Sequence, residues 1–307
     1  MKVKKIIIIT NFGKKIGFGH FYRGEKIKKI LSDKYYVKHF TFKNEKINLE
    51  KFDYLIQEKF KNKYLLIIDI KNFEEKTFLN KIAKFKNKKI GIDLPSKVIK
   101  LFNMAWYPSI VKKKDFKFTK TFSGKNSIIP NGKLDNEIIG DRNSLLFFTG
   151  GSDLQNMGNY LPNQLSSIGK KYEKIWIKGE YSKKPKIKDK KKNNWKIISN
   201  KKNFYSKKIK AKIAFCIFGT TFFELAFKGI PTVVHDPYKT PGRLKDLKTL
   251  ELLNLVIWAK KKSEISKKIN LLLNNKRKYQ AISENLRKYF SEKKNRNIIL
   301  TKINSIF

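Results

Sequence analysis

The stretch that decides the fold is Lys5-Ile6-Ile7-Ile8-Ile9-Thr10 followed by Ile16-Gly17-Phe18-Gly19-His20-Phe21-Tyr22-Arg23. Four consecutive isoleucines have no polar face to give to water, so they read as a strand buried on both sides, as in a parallel sheet. The segment after the glycines, through Ile27, Ile30 and Leu31, carries a helical spacing. Two glycines and a histidine therefore sit where a first strand hands over to its helix. Glycine lets the backbone turn tightly and approach a ligand there. A helix N-terminus offers free N–H groups and a positive dipole end to a phosphate or a developing oxyanion. Histidine is the residue type suited to proton transfer near neutral pH. The same spacing also fits a plain glycine turn whose histidine caps the helix.

Outward from this stretch the pattern repeats. Apolar runs at Tyr36–Phe40, Tyr64–Asp69 and Lys89–Ile92 alternate with helical patterns such as Phe78-Leu79 with Ile82-Ala83, and shorter runs follow at Met104–Tyr107 and Ser127–Ile129. A second series opens at Ser144–Thr149 and continues with Lys174–Ile177, Trp195–Ile198, Ile213–Ile217, Thr232–Val234 and Leu255–Trp258. Helices are expected at Gly158–Gly169, Asn203–Ala211, Thr220–Gly229 and Arg243–Leu253, with two or three more between Ser263 and Phe307. Strand–helix alternation predicts parallel α/β sheets. The turn-rich segment from Ile129 to Asn143 marks the boundary, giving domains over 1–140 and 141–307. Two doubly wound domains facing across a cleft are expected, with ligands outside the carboxyl ends of the strands. The lysine-rich run 183–194 reads as a mobile surface loop.

With 307 residues and 40% hydrophobic content the chain can bury two cores. No apolar stretch reaches the roughly 20 residues that a membrane helix needs. The apolar block after Lys4 and Lys5 is too short for a secretory leader. Cys216 is the single cysteine, which excludes an internal disulfide and fits a reducing cytoplasm, the expected location. The formal charge of +46 resembles a nucleic-acid footprint, but only six of the 71 basic residues are arginine. Arginine makes the bidentate phosphate and base contacts that sequence-specific binding needs. No paired RNP aromatics or zinc ligands accompany the lysines. A solvated lysine surface that attracts polyanions without specificity is the expectation.

Two further motifs carry chemistry. Thr149-Gly150-Gly151-Ser152-Asp153 follows the first strand of the second series, as the Gly17/Gly19 loop follows that of the first. Adjacent glycines and a hydroxyl can form an anion nest, or the loop is a strand-to-helix turn with Asp153 as its cap. Phe218-Gly219-Thr220-Thr221-Phe222-Phe223-Glu224, then Gly229-Ile230-Pro231, follows the strand Ile213–Ile217. Here Thr220 or Thr221 can cap the helix and hold a diphosphate, with Glu224 one turn on, able to accept from two ribose hydroxyls. The spacing Thr221-x-x-Glu224 fits a capping box equally well.

Together these elements resemble the PseG family, UDP-sugar hydrolases of pseudaminic acid biosynthesis related to glycosyltransferases of the two-Rossmann-domain (GT-B) type. The resemblance rests on Ile16-Gly17-Phe18-Gly19-His20-x-x-Arg23, the strand ending at Asp69, Gly150-Gly151-Ser152-Asp153 with Asn156, and Gly219-Thr220-Thr221-x-x-Glu224, in the family's order across both domains. It implies removal of UDP from a 2,4-diacetamido-2,4,6-trideoxy sugar by water attack at the anomeric carbon. It implies His20 as the base, the Gly150–Asp153 loop as the diphosphate cradle, Thr220 and Thr221 on phosphate, and Glu224 on the ribose. Gly17, Gly19, Arg23, Asp69 and Asn156 would complete the substrate contacts. Neither metal nor cofactor is expected. Two departures fall at the sugar end: Ile70 follows Asp69 where the family often has a histidine, and Leu94 follows Asp93 where it often has a second carboxylate. The alternative enzyme reading is a GT-B glycosyltransferase with a UDP-sugar donor, in which His20 activates an acceptor hydroxyl. A basic nucleic-acid-binding protein is the reading from another class.

Overall fold

The computed structural model describes residues 4–43, 50, 52, 64–71, 76–130, 138–139, 143–191, 193–199 and 208–307. They form two compact units, residues 1–132 with 293–307, and residues 133–292. In the first unit six strands, β1 (Lys5–Phe12), β2 (Tyr36–Lys43), β3 (Tyr64–Asp69), β4 (Lys89–Ile92), β5 (Met104–Trp106) and β6 (Lys120–Phe122), lie in the order β2-β1-β3-β4-β5-β6. All pairings are parallel.

The isoleucine run is buried on both faces, and its alternation sorts the core. Ile6 and Ile8 join one apolar cluster with Ile27, Ile30 and Leu31 of α1 (Gly19–Leu31) and with Ile299, Leu300 and Ile303 of the last helix. Ile7 and Ile9 join the other, with Phe78 and Ile82 of α2 (Lys76–Lys84) and Val98 and Ile99 of a short 3-10 helix. Each such side chain contributes roughly 1.5–3 kcal/mol of burial.

The second unit holds β7 (Ile138–Ile139), β8 (Ser144–Phe148), β9 (Glu173–Lys178), β10 (Trp195–Ser199), β11 (Lys208–Ile209), β12 (Ile213–Ile217), β13 (Thr232–His235) and β14 (Ile257–Ala259). Six of them form a parallel sheet in the order β10-β9-β8-β12-β13-β14, and β7 pairs with β11 alone. Its helices are the short α3 (Leu161–Gln164), then α4 (Thr220–Phe227), α5 (Pro241–Leu252), α6 (Ile265–Asn274) and α7 (Lys276–Tyr289).

Four expectations shift. The sixth strand of the first sheet is Lys120–Phe122, whereas Ser127 ends a 3-10 turn and its hydroxyl donates to Tyr107 O at 2.7 Å. The helix expected over 158–169 contracts to α3. Of the helix expected over 203–211, residues 203–207 lie outside the described residues, and Lys208–Ile209 is strand. The last helix, α8 (Glu292–Asn304), was expected with the second domain, but residues 293–307 pack with the first unit. Asn295 seals that return by donating to Lys125 O and Ile128 O, both at 2.9 Å. The lysine-rich run is tied at its start: Lys186 N–H donates to Gly158 O and Pro185 is buried.

Candidate active site

In the first sheet the strand order reverses at β1, because β2 lies on one side of it and β3 on the other. A crevice opens at the carboxyl ends of strands at such a reversal. The chain after β1 fills it. Gly13 N–H donates to Gly17 O at 3.3 Å and Gly17 N–H to Gly13 O at 2.6 Å, closing a tight loop with Lys14 and Lys15 exposed at its tip. Gly17 takes a left-handed φ of 78°, where a side chain would be strained. Helix α1 then starts at Gly19, with Phe18 as N-cap and no side-chain cap. His20 does not serve as the cap.

Instead His20 turns to the end of β3. Its Nδ1 lies 2.6 Å from Asp69 Oδ1. Arg23, one turn further along α1, donates from Nε to Asp69 Oδ2 and from Nη2 to Asp69 Oδ1, both at 2.6 Å. Its Nη1 donates to Asp93 Oδ2 at 2.6 Å, reaching a residue just beyond β4 with a left-handed φ of 53°. The helix and two strand ends are thus joined through one guanidinium. Burial alone would raise the Asp69 carboxyl, but Arg23 and then His20 outweigh it and hold it down at about 2. Burial likewise opposes the charge on Arg23, and Asp69 with Asp93 overcomes it and holds that group above its ordinary value. An ionised Asp69 can only accept, so His20 Nδ1 carries a hydrogen, and Nε2 is the ring nitrogen that points away from the carboxylate. The 3.3 Å approach of Arg23 Nη2 to the same nitrogen follows from both groups meeting Oδ1.

Exposure sorts the roles. His20 keeps 20% of its side-chain surface, while Asp69 has none and Arg23 9%. Arg23 and Asp69 were expected to touch substrate. In this geometry their polar atoms are committed to one another, to His20 and to Asp93. Asp93, whose side chain is 48% exposed, is the carboxylate of the group that faces water.

A second layer lies behind α1. Glu25 accepts from His39 Nδ1, and Thr10 Oγ1 stands 2.8 Å from His39 Nε2. The hydrogen bond from His39 holds the Glu25 carboxyl below its ordinary value against the opposing effect of burial. Gly24 makes room, since a Cβ there would meet His39 Nε2 at 2.5 Å. The sequence reading missed this layer. Its available signal was one histidine in strand β2 and one threonine in β1, two strands that the fold pairs.

The second sheet reverses at β8, between β9 and β12. The loops after β8 and β12 are the two that the sequence singled out. Gly150 takes a φ of 95°. The loop is backed by Gly179, where a Cβ would meet Gly150 O and Gly151 O, each at 2.4 Å. Tyr181 N–H donates to Gly151 O at 2.9 Å. Ser152 stays partly exposed in this loop. Asp153 does not face outward: its carboxylate accepts from Met157 N–H at 3.0 Å and Gly158 N–H at 2.9 Å. It caps the following 3-10 turn, and burial raises its carboxyl above the ordinary value against the hydrogen bonds from Gly158 N–H, the Thr149 hydroxyl and Met157 N–H. Asn156 is exposed with a left-handed φ of 51°, and opens that turn through its backbone.

After β12, Gly219 is the N-cap of α4 and makes no side-chain cap bond. Thr220 and Thr221 are therefore the first two helical residues, and the capping box with Thr221 as cap does not form. Thr220 is partly exposed and Thr221 buried, while Glu224 is 2% exposed. Sequence reasoning also passed over Arg243. Its Nε donates to both oxygens of Asp236 at 3.0 Å, Nη2 donates to Phe218 O, and the guanidinium lies over the Phe218 and Tyr238 rings. This clamp fixes the chain that leads into Gly219.

Among the described residues no group of three or more His, Cys, Asp or Glu side chains is placed to hold a metal ion. No described helix is long and apolar enough to cross a membrane.

No protein-family model matches the chain, and no curated protein matches it. Solved structures do. A complex of Phytolacca americana UGT2 with UDP-2fluoro-glucose and pterostilbene aligns over 100% of both chains with a TM-score of 0.62 at 10% identity. An S. aureus MnaA–UDP co-structure aligns over 99% of this chain and 98% of its own, with a TM-score of 0.61 at 9% identity. Acinetobacter baumannii MurG aligns over 98% of this chain and 99% of its own, with a TM-score of 0.53 at 10% identity. At such identities the likeness concerns the fold, and the fold is the GT-B type, with two Rossmann-like domains.

Proposed function

We propose that this chain is a nucleotide-sugar enzyme that releases UDP from a UDP-linked deoxy-diacetamido sugar by hydrolysis, as in the biosynthesis of pseudaminic-type nonulosonic acids. The observation that carries the reading is the His20–Asp69 pair held by Arg23 at the switch point of the first sheet. Two of the three neighbours named above bear UDP or a UDP-sugar, which supports the nucleotide. The choice of sugar rests on the sequence resemblance alone.

In this reading UDP lies on the second unit. Backbone N–H groups of the Gly150–Gly151 turn and the N-terminus of α4 at Gly219, Thr220 and Thr221 face its diphosphate, and Glu224 holds the ribose. His20 Nε2 removes a proton from water as the water oxygen bonds to the anomeric carbon. The bond from that carbon to the diphosphate oxygen breaks, and UDP leaves with the electron pair. Asp69 stabilises the imidazolium and fixes its ring. Asp93 is placed to accept a hydrogen bond from the sugar.

A glycosyltransferase with a UDP-sugar donor is the second reading. The neighbour that holds UDP-2fluoro-glucose and pterostilbene together favours it. UDP release in water with no acceptor present separates the two. Rapid release with free sugar as co-product supports hydrolysis. Slow release that accelerates when a sugar or lipid acceptor is added transfers the assignment to the second reading. His20→Asn tests the base under either: asparagine cannot take the proton, so turnover falls on the order of 10²–10⁴ while UDP affinity holds.

A further inference from the structure

The chain between β5 and β6 builds a surface device that the proposed chemistry does not use. Phe116 N–H donates to Thr119 O and Thr119 N–H to Phe116 O, both at 3.1 Å, leaving Lys117 and Phe118 as a two-residue tip. The base is pinned. Thr119 is buried, and its hydroxyl lies 3.0 Å from Ile99 O and 2.9 Å from Phe102 O. Asp115 Oδ1 accepts from Thr121 N–H at 2.6 Å, and Ser123 Oγ from Lys113 N–H at 2.7 Å. On this fixed support Phe118 is 77% exposed and Phe116 41%. Lys112, Lys113, Lys114 and Lys117 flank them in the chain, all exposed, against the single carboxylate of Asp115; Lys117 Nζ lies over the Phe118 ring and Lys113 Nζ over that of Tyr107.

A well-anchored turn that holds two phenylalanines in water gains nothing from them in the isolated protein. We infer that the 112–118 hairpin docks the protein onto an anionic lipid surface, with Phe116 and Phe118 entering the headgroup layer and the lysines facing lipid phosphates and carboxylates. Lysines interleaved with aromatics match such an interface in charge and polarity. The alternatives fit less well. The core of a protein–protein interface is depleted of lysine. Single-stranded nucleic acid needs a groove that tracks its backbone, whereas this is a two-residue turn with Phe118 out in water. The Phe116–Thr119 tip directly precedes β6 and lies at the amino ends of the strands, against Ile99 O and Phe102 O, whereas Lys112 and Lys113 run back beside Gly124 and Ser123, past the carboxyl end of β6. Docking by the tip leaves the crevice at His20 and Asp69 open. The inference stands apart from the proposed chemistry.

The test uses the full chain and co-sedimentation with phosphatidylcholine vesicles, with and without phosphatidylserine, at physiological salt. The whole surface is basic, so the aromatics are what the experiment must isolate. Phe116→Ser with Phe118→Ser keeps every charge. It should lower partition into phosphatidylserine vesicles on the order of 10–100-fold, with the melting temperature unchanged. A Phe118→Trp variant should gain blue-shifted emission on those vesicles, quenched by brominated lipid. Equal partition of the double variant and the parent assigns the binding to bulk lysine charge and overturns the inference. A Phe118→Trp signal that responds to single-stranded RNA and not to vesicles overturns it in favour of nucleic acid.

Discussion

His20 Nδ1 and Asp69 Oδ1 stand 2.6 Å apart, joining the second residue of α1 to the last residue of β3. Asp69 is wholly buried and ionised, so the pair fixes both the ring plane of His20 and the position of its hydrogen. Asp69→Asn can offer its amide N–H₂ to Nδ1 and impose the wrong tautomer. UDP release should then fall by on the order of 10²–10⁴ with little change in UDP affinity. Steady-state kinetics checks this, and near-normal turnover of the Asp69→Asn variant removes Asp69 from the mechanism.

Arg23 carries more of the stability than Asp93. Arg23→Met leaves the Asp69 carboxylate buried without its main counter-charge, and should cost about 3–5 kcal/mol in urea denaturation. Asp93→Asn removes a partner that is half in water, and should cost about 1 kcal/mol or less. Equal losses for the two would mean that the guanidinium bridges the strands without being the charge that Asp69 depends on.

Acid sensitivity follows from the same group. The folded carboxyl of Asp69 sits at about 2, below the ordinary 3.8. A depressed carboxyl adds stability that is complete above the unfolded value and is lost as pH falls through the folded one. Between about pH 4 and pH 2 the wild type should lose roughly 2 kcal/mol from this residue alone. Denaturation midpoints across that range, compared with Asp69→Asn, should show the smaller slope in the variant. Parallel slopes would falsify the assignment.

Gly179 tests the proposed nucleotide side without touching it. A methyl group there would meet the carbonyl oxygens of Gly150 and Gly151, and two backbone oxygens cannot yield as a flexible side chain can. Gly179→Ala should destabilise by about 1–3 kcal/mol, the usual cost of overpacking. It should also weaken UDP binding by calorimetry, because the Gly150–Gly151 turn is displaced. Glu224→Ala should weaken UDP by about 1–3 kcal/mol, with sulfate binding unaffected. Unchanged UDP affinity in both variants would leave the second unit without the nucleotide role.

The local signals were enough for the two parallel sheets. Ile6–Ile9 could bury both faces only inside such a sheet, and a glycine after β1, β8 and β12 marks each strand-to-helix turn, because these are properties of neighbouring residues. The folded chain decided which of those residues meet. Arg23 and Asp93 are 70 positions apart and touch only because β4 lies beside β3 on the same sheet. Gly179 supports Gly150 only because β9 pairs with β8. Sequence periodicity cannot report strand order, so the commitment of Arg23 to two carboxylates and the pairing of Glu25 with His39 stayed hidden, whereas the capping role of Asp153, a matter of neighbouring residues, was one of the two readings its loop allowed. For the same reason residues 293–307 could be read as helix but not assigned to the first unit. An amphipathic helix states that it will cover an apolar face, and only tertiary packing selects which one.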